Sequence, residues 1–416
     1  MKKTFLFLLC LTVSWAVLAQ NPLSSRVDST ARVLADEGFA NVRAVETADF
    51  TVFTIENDRY KIPAEGFARA ARLIESAGLD TSKPVKVIGT SFKVPEVTLT
   101  YNNGMWSTTK RLDASWDAVR KQPKLNDSFA KADIMIYPQV SLQNLIINQV
   151  YQSVWNLSPT LHISLWPGMR FTYQLAIPVY TDLLQDKYYK IHPTFITLSQ
   201  RFRDPWHLNI FGKLTIGNFS ADRGGIALEA AYYFPNERFS VDAQLGVITY
   251  SSFYGFVWKY ALEPVFRWNI GGNYYNEVLK TQFSLHMINF IRGDYGFKFE
   301  MIRHFRHCSI GFYAEKGHHI PAGIPWTWDN MTKGDPTGYV SKTNGGFRFQ
   351  IALPPYRMKR HGYIPRITTS GQIGMAYNAN NEEQYYYEYR TEVDDNIMTK
   401  NYYNPYYINS VVQEIK

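Results

Sequence analysis

From about Ile134 onward, apolar and polar residues alternate along the chain. In LHISLWPGMRFTYQLAIPVY (161–180), Leu161, Ile163 and Leu165 alternate with His162 and Ser164 before the Pro167-Gly168 pair. After it, Met169, Phe171, Tyr173, Leu175 and Ile177 alternate with Arg170, Thr172, Gln174 and Ala176. A period of two on both sides of a turn signal predicts a β-hairpin with one apolar and one polar face. WHLNIFGKLTIG, FSVDAQLGV, WKYALEPVFRWNI, TQFSLHM, YGFKFEM and GGFRFQIAL repeat the scheme. No helical spacing interrupts them, so the body of the protein is predicted to be mainly β.

Residues 20–130 have a different texture. DSTARVLADEGF has helical spacing and stops at Gly38, and RYKIPAEGFARAARLIESAG is a second amphipathic helix ending at Gly78. NVRAV, DFTVFTI, VKVIGTSF and VPEVTLTY read as short strands between and after them. These elements predict a small α+β module, with a linker near Lys121–Lys131.

The links within the β body fall into two kinds. Short ones are expected at Pro167-Gly168, Asp204-Pro205, Pro235-Asn236 and Gly271-Gly272. Longer ones are expected at 181–192, 218–223, 251–256 and, longest, 316–344. Short turns at one end and long loops at the other are the habit of outer-membrane barrels, whose short turns face the periplasm. On this scheme the body has about 12 strands, with 10 to 14 compatible with the pattern. The Arg292-Gly293-Asp294 link reads as a tight turn.

The direction of the apolar face decides the architecture. The polar face collects Arg170, Lys213, Glu229, Asp242, Gln244, Lys259, Glu263, Arg267, Lys298, Glu300 and Arg348. In a soluble sandwich that face is the outside; in a membrane barrel it lines the lumen, where opposite charges pair across strands. Alternation alone does not separate the two. Aromatic residues do: they make up 16% of the chain, with 29 Tyr and 10 Trp, although mean hydropathy is only −0.26. A barrel places such residues in two girdles at the lipid–water interfaces.

The leading segment points the same way. MKKTFLFLLCLTVSWAVLAQ has a basic start, an apolar stretch and small residues at Val17 and Ala19, the signature of a signal peptide over 1–19. Leu9 before Cys10 argues against a lipoprotein anchor. Cys308 is then the only cysteine left, so no intramolecular disulfide is expected, which fits a bacterial envelope. No later run reaches the roughly 18 apolar residues of a membrane-crossing helix. The chain ends VVQEIK rather than on the aromatic residue that closes many barrels. The barrel is therefore expected over 131–378, with 379–416 a polar, Tyr-rich tail or one last hairpin.

Signs of chemistry are sparse. RHFRHCS holds His304, His307, Cys308 and Ser309, and His318-His319 follow. On a strand His307 and Ser309 share a face, which admits a hydrolase reading, but no Gly-flanked, strained serine turn supports it. Adjacent histidines in a loop do not make a metal site, and no helix follows the Gly pairs to cradle a phosphate. No cofactor is expected. A net charge of +8 without a basic stripe argues against nucleic acid. Aromatic loops carrying Tyr254, Trp326 and Trp328 are candidate platforms for sugar rings.

The signal peptide, EGFANVRA followed by ENDRYKI, the SPTLHISLWPGMRFTYQLAIPV hairpin and LPPYRMKRHGYIPRITTSG together resemble the YjbH/GfcD-type outer-membrane proteins of exopolysaccharide and capsule secretion. The resemblance spans most of the mature chain and rests on patterns rather than a catalytic motif. It implies a β-barrel with small periplasmic modules in the outer membrane. It further implies a part in assembling or exporting an extracellular polysaccharide with secretion partners. A soluble glycan-binding β-sandwich and an outer-membrane hydrolase using Ser309 and His307 are the rival expectations.

Overall fold

The computed structural model describes residues 24–143, 152–182, 186–204, 206–291, 295–318, 341–358, 366–369, 372–378 and 388–414. The expected signal peptide, the Arg292-Gly293-Asp294 link and the loop carrying Trp326 and Trp328 lie outside them.

The N-terminal module runs α1 (Ser25–Glu37), β1 (Ala40–Glu46), β2 (Thr51–Glu56), α2 (Pro63–Glu75), β3 (Val85–Ser91), β4 (Val94–Asn102), β5 (Met105–Thr109) and α3 (Ala114–Val119). Ser24 caps α1 by accepting the Val27 N–H, Gly38 ends it in the left-handed conformation, and Pro63 opens α2. The strands form one sheet in chain order, with β2 and β3 parallel across the α2 crossover and the other pairs antiparallel. Apolar faces of α1 and α2 close on Phe39, Phe53, Ile55, Val87 and Leu99 to make a conventional core. The 121–131 stretch is no loose linker: Asn126 and Ser128 hydrogen-bond to Phe39 and Asn41.

The second sheet contains β6 (Lys131–Gln143), β7 (Gln152–Ser164), β8 (Met169–Thr181), β9 (His192–Arg203), β10 (Ile210–Phe219), β11 (Arg223–Tyr233), β12 (Phe239–Tyr254) and β13 (Val257–Tyr260). It continues through β14 (Val265–Asn276), β15 (Thr281–Asn289), β16 (Tyr295–His304), β17 (Cys308–His318), β18 (Ser341–Ala352), β19 (Arg366–Thr369) and β20 (Gln372–Asn378). Neighbours pair antiparallel in chain order, with β13 a side strand on β12. At the two ends of this order stand β19, which pairs with β6 in parallel, and β20, which pairs with β18. Only Ser370 and Gly371 separate them in sequence.

Four expected details differ. The links expected to be long at 218–223 and 251–256 are tight: β10 runs to Phe219 and β11 starts at Arg223, and Ser251–Tyr254 belong to β12, which turns at Gly255-Phe256 into β13. Gly271-Gly272 is not a turn but the middle of β14, paired with Val241 and Asp242 on one side and Leu285 and His286 on the other. The turn comes later, between Asn276 and Thr281. The continuous strand expected across WKYALEPVFRWNI is cut after Tyr260, because Pro264 has no N–H for a ladder bond.

Which face the second sheet buries is the main finding of the fold. Arg170, Thr172 and Gln174 on β8 are 3%, 1% and 1% exposed, and Lys298 and Glu300 on β16 are 5% and 3%. Ile216, Val247 and Leu285, on the other face, are 49%, 50% and 58% exposed. The polar face is inside and the apolar face is outside.

The C-terminal segment is neither a solvated tail nor a hairpin. Residues 388–404 cross the interior of the second sheet, and α4 (Pro405–Glu414) then packs Ile408, Val411 and Val412 into the module's core. Three short turns of the sheet meet the module at that same end. Gly168 donates its N–H to the Phe92 carbonyl, Lys110 donates its backbone N–H to Glu237, and Arg306 pairs with Glu65. Gly168 has φ +83°, and a Cβ there would lie 2.1 Å from the Arg201 carbonyl, so the β7–β8 turn needs glycine.

Candidate functional site: a charged interior threaded by the C-terminal segment

Strand alternation aims every second side chain of β8 to β18 at one interior, and the segment 388–404 supplies the partners. On one wall, Arg170 makes a two-pronged contact with Asp394 at 3.0 and 3.1 Å and reaches Glu392 at 2.9 Å. Arg201 binds Glu392 at 2.6 Å, and Lys213 lies 2.8 Å from Glu229 and 3.6 Å from Glu392. Both arginines also stack on Phe92 of the module, at 4.6 and 4.9 Å. Glu392 thus answers three cations from three adjacent strands, as a buried carboxylate requires.

The facing wall is built alike. Lys298 pairs with Glu388 and lies 3.7 Å from Glu315, while Glu300 takes Arg348 at 3.2 Å and Lys400 at 2.5 Å. Between the walls, Asn273 donates to Asp242 at 2.7 Å, and the Nδ1 of His286 lies 2.7 Å from the Asn269 side-chain oxygen. A small apolar cluster at the end away from the module (Phe219, Ala227, Ile248 and Ile291) holds Tyr389. Its ring stacks on Phe219 at 5.7 Å. Gly246 makes room for it, since a Cβ there would lie 2.0 Å from the Tyr389 hydroxyl.

Beside the threaded segment remains a cavity of about 440 Å³. Glu96 and Lys110 of the module, the wall residues Lys213, Glu229, Asp242, Gln244, Lys298, Glu300 and Arg348, and Asn396 and Lys400 of the segment line it. Burial pushes the Lys110 ammonium down to about 8, against the pull of Glu96 at 3.8 Å. Its cation also sits over the rings of Phe211 and Tyr233. The lining is close to charge-balanced and rich in amides and hydroxyls, suited to hydrated polar matter rather than to one strong ion.

Of the residues singled out from sequence, Arg170 lies at the base of this interior beneath the segment. Arg267 is held away from the cavity by Asn289 and the Ile291 carbonyl. Lys259 and Glu263 are corrections: both are exposed, Lys259 on β13 with its ammonium 4.0 Å from the Tyr254 ring and Glu263 in the link that follows. The break at Pro264 removes both from the alternation. Tyr254 is therefore engaged by a cation rather than presented as a free platform.

Ser309 does not meet His307. Its hydroxyl lies 2.9 Å from Nδ1 of His304, whose Nε2 faces the Asn401 amide at 2.7 Å. With Nε2 accepting, Nδ1 carries the proton and donates to Ser309, so this histidine cannot deprotonate that serine. His307 packs at a tilt against Tyr356 and faces Glu65 instead. Sequence reasoning missed Arg201, Glu388, Glu392, Asp394 and Lys400. The acid-rich run TEVDD was their one signal, odd in a tail and matched by cations on the strands. No protein-family model matches the chain, and a search of curated proteins finds no significant relative.

Proposed function

We propose that the second sheet is a closed β-barrel in an outer membrane and that the protein takes part in assembling or exporting an extracellular polysaccharide. The carrying observation is the sidedness: side chains such as Ile216, Val247, Leu285 and Phe299 are exposed while Arg170, Glu300 and Glu392 are buried. A soluble sandwich would leave a costly apolar surface in water and buried ions in its middle. A lipid environment suits both faces. Closure is supported by β19 and β20, adjacent in sequence, which pair with β6 and β18 at the two ends of the meander. The turns at Gly168, Glu237 and Arg306 meet the module, and the longer link between β8 and β9 lies at the other end, which supports a periplasmic module.

The polysaccharide role rests on the resemblance described above and on the polar, charge-balanced cavity. Because residues 388–404 occupy the interior, the protein in this state is a stoppered component rather than an open conduit. Two experiments test the reading. Detergent-extracted protein should run faster unheated than boiled on a gel, and recovery as a soluble periplasmic protein would sink the membrane assignment. Deleting the protein should lower or alter surface polysaccharide; unchanged amount and composition would remove the role.

A further inference from the structure

Apart from Tyr389, clamped on Phe219 at the far end, the two contacts of the segment 388–404 are of opposite kinds. Against the barrel walls it is held mainly by ion pairs and hydrogen bonds: Glu392 and Asp394 to Arg170, Arg201 and Lys213, and Glu388 and Lys400 to the far wall. Toward the module it is continuous with apolar packing. Tyr403 meets Phe67 edge-on at 6.2 Å, and Met398, Ile408, Val411 and Val412 belong to the module's core. Polar wall contacts can be exchanged for water with modest net loss, whereas the apolar anchor cannot.

We propose that residues 388–404 are a displaceable plug, anchored in the module at one end and tied to the last strand at the other, whose release from the walls opens a passage beside it. This regulation rests on the barrel reading. Much of the wall keeps counter-charges of its own, since Lys213 retains Glu229, Lys298 retains Glu315 and Arg348 retains Glu300; Arg170 and Arg201 give up their main partners and stay over the Phe92 ring, with Glu96 4.0 Å from Arg201. With the segment off the walls the interior would be a wet, mixed-charge passage. The cavity of about 440 Å³ beside the segment is the start of that passage. A force on the periplasmic module, such as a partner docking there, is the natural trigger.

The test uses the full chain with Cys308→Ser and Thr391→Cys. Thr391 is fully buried on the plug, so a membrane-impermeant methanethiosulfonate reagent reads whether the plug is seated. Adding Glu392→Gln and Asp394→Asn should raise the labelling rate at least about tenfold, the effect of some 1.4 kcal/mol on the seating equilibrium, and raise conductance across planar bilayers. Glu388→Gln with Lys400→Met loosens the other wall and serves if the first pair fails to fold. If variants that keep heat-modifiable mobility neither label faster nor conduct more than the parent, the segment is a fixed part of the wall and the proposal is overturned. Loss of heat-modifiability in the parent itself would instead overturn the barrel reading beneath it.

Discussion

The module buries Phe53, Ile55 and Phe67 and turns most of its charges outward, whereas the large sheet buries Arg170, Glu300 and Glu392 and turns Ile216, Val247 and Leu285 outward. Both regions are made from similar short amphipathic elements. What differs is what each apolar face meets: in the module another apolar face across a core, in the sheet the surroundings. The module is held by removing apolar surface from water. The interior of the sheet draws little net stability from its ion pairs, which mainly offset the cost of burying one another. Its firmness has to come from the backbone ladders, and in the membrane reading from the lipid outside.

The comparison can be broken most sharply in the module's core. Phe67→Ala should cost about 3–5 kcal/mol, as for other buried phenylalanines, seen as faster proteolysis of the module with the sheet's gel mobility kept. A loss below about 1 kcal/mol would mean the core does not close on α2. On the outer face of the sheet, Leu285→Arg should cost about 2–4 kcal/mol in lipid vesicles and next to nothing in a water-facing sheet. Folding titrations in urea with and without vesicles distinguish the two.

A subtler contrast lies in a single acid that breaks the module's rule. Glu56 is buried there, accepting from Asn41 at 2.8 Å and from the Lys93 backbone N–H at 2.9 Å. Burial, with Asp58 nearby, raises its carboxyl to about 7. A raised folded value means its contribution is fully present below the ordinary value of 4.5 and is lost as pH rises through about 7. Module stability should therefore fall between those limits, and Glu56→Gln should flatten the slope. Urea midpoints at pH 4.5 and 7.5 check this, and an unchanged slope would refute it. The smallest effect expected is about 1 kcal/mol for Ser24→Ala, which removes the cap of α1 without touching the sheet.

Much of this was legible in the sequence. Period-two runs located most strands of the large sheet, and glycine stops ended the module's helices, because these signals are local. Sidedness was legible only as a choice between two environments, since alternation is the same for both. Pro264 marked the end of a strand that alternation alone carried through it. The threaded segment was the least legible part. Glu392 and Asp394 find Arg170 more than 200 residues away, and no periodicity in RTEVDDNIMTKNYYNP announces a partner that distant. Even α4 is short and Tyr-rich, with its apolar face defined by the module it joins.

The parallel pairing of β19 with β6 has a consequence for how the chain travels. Counting β19 and β20 as one strand and leaving the side strand β13 aside, the fifteen-stranded sheet is a meander of thirteen. An odd meander releases the chain on the side opposite to where it was taken in. β6 starts beside the module, where Lys131 binds Asp58, and β20, antiparallel to β18, ends on the far side. To add α4 to the module the polypeptide has to come back, and the structure sends it through the middle. The module's core is thus completed by a helix that arrives only after the last strand has been laid down. Parity of the strand count makes the finishing of one region a report on the finishing of the other.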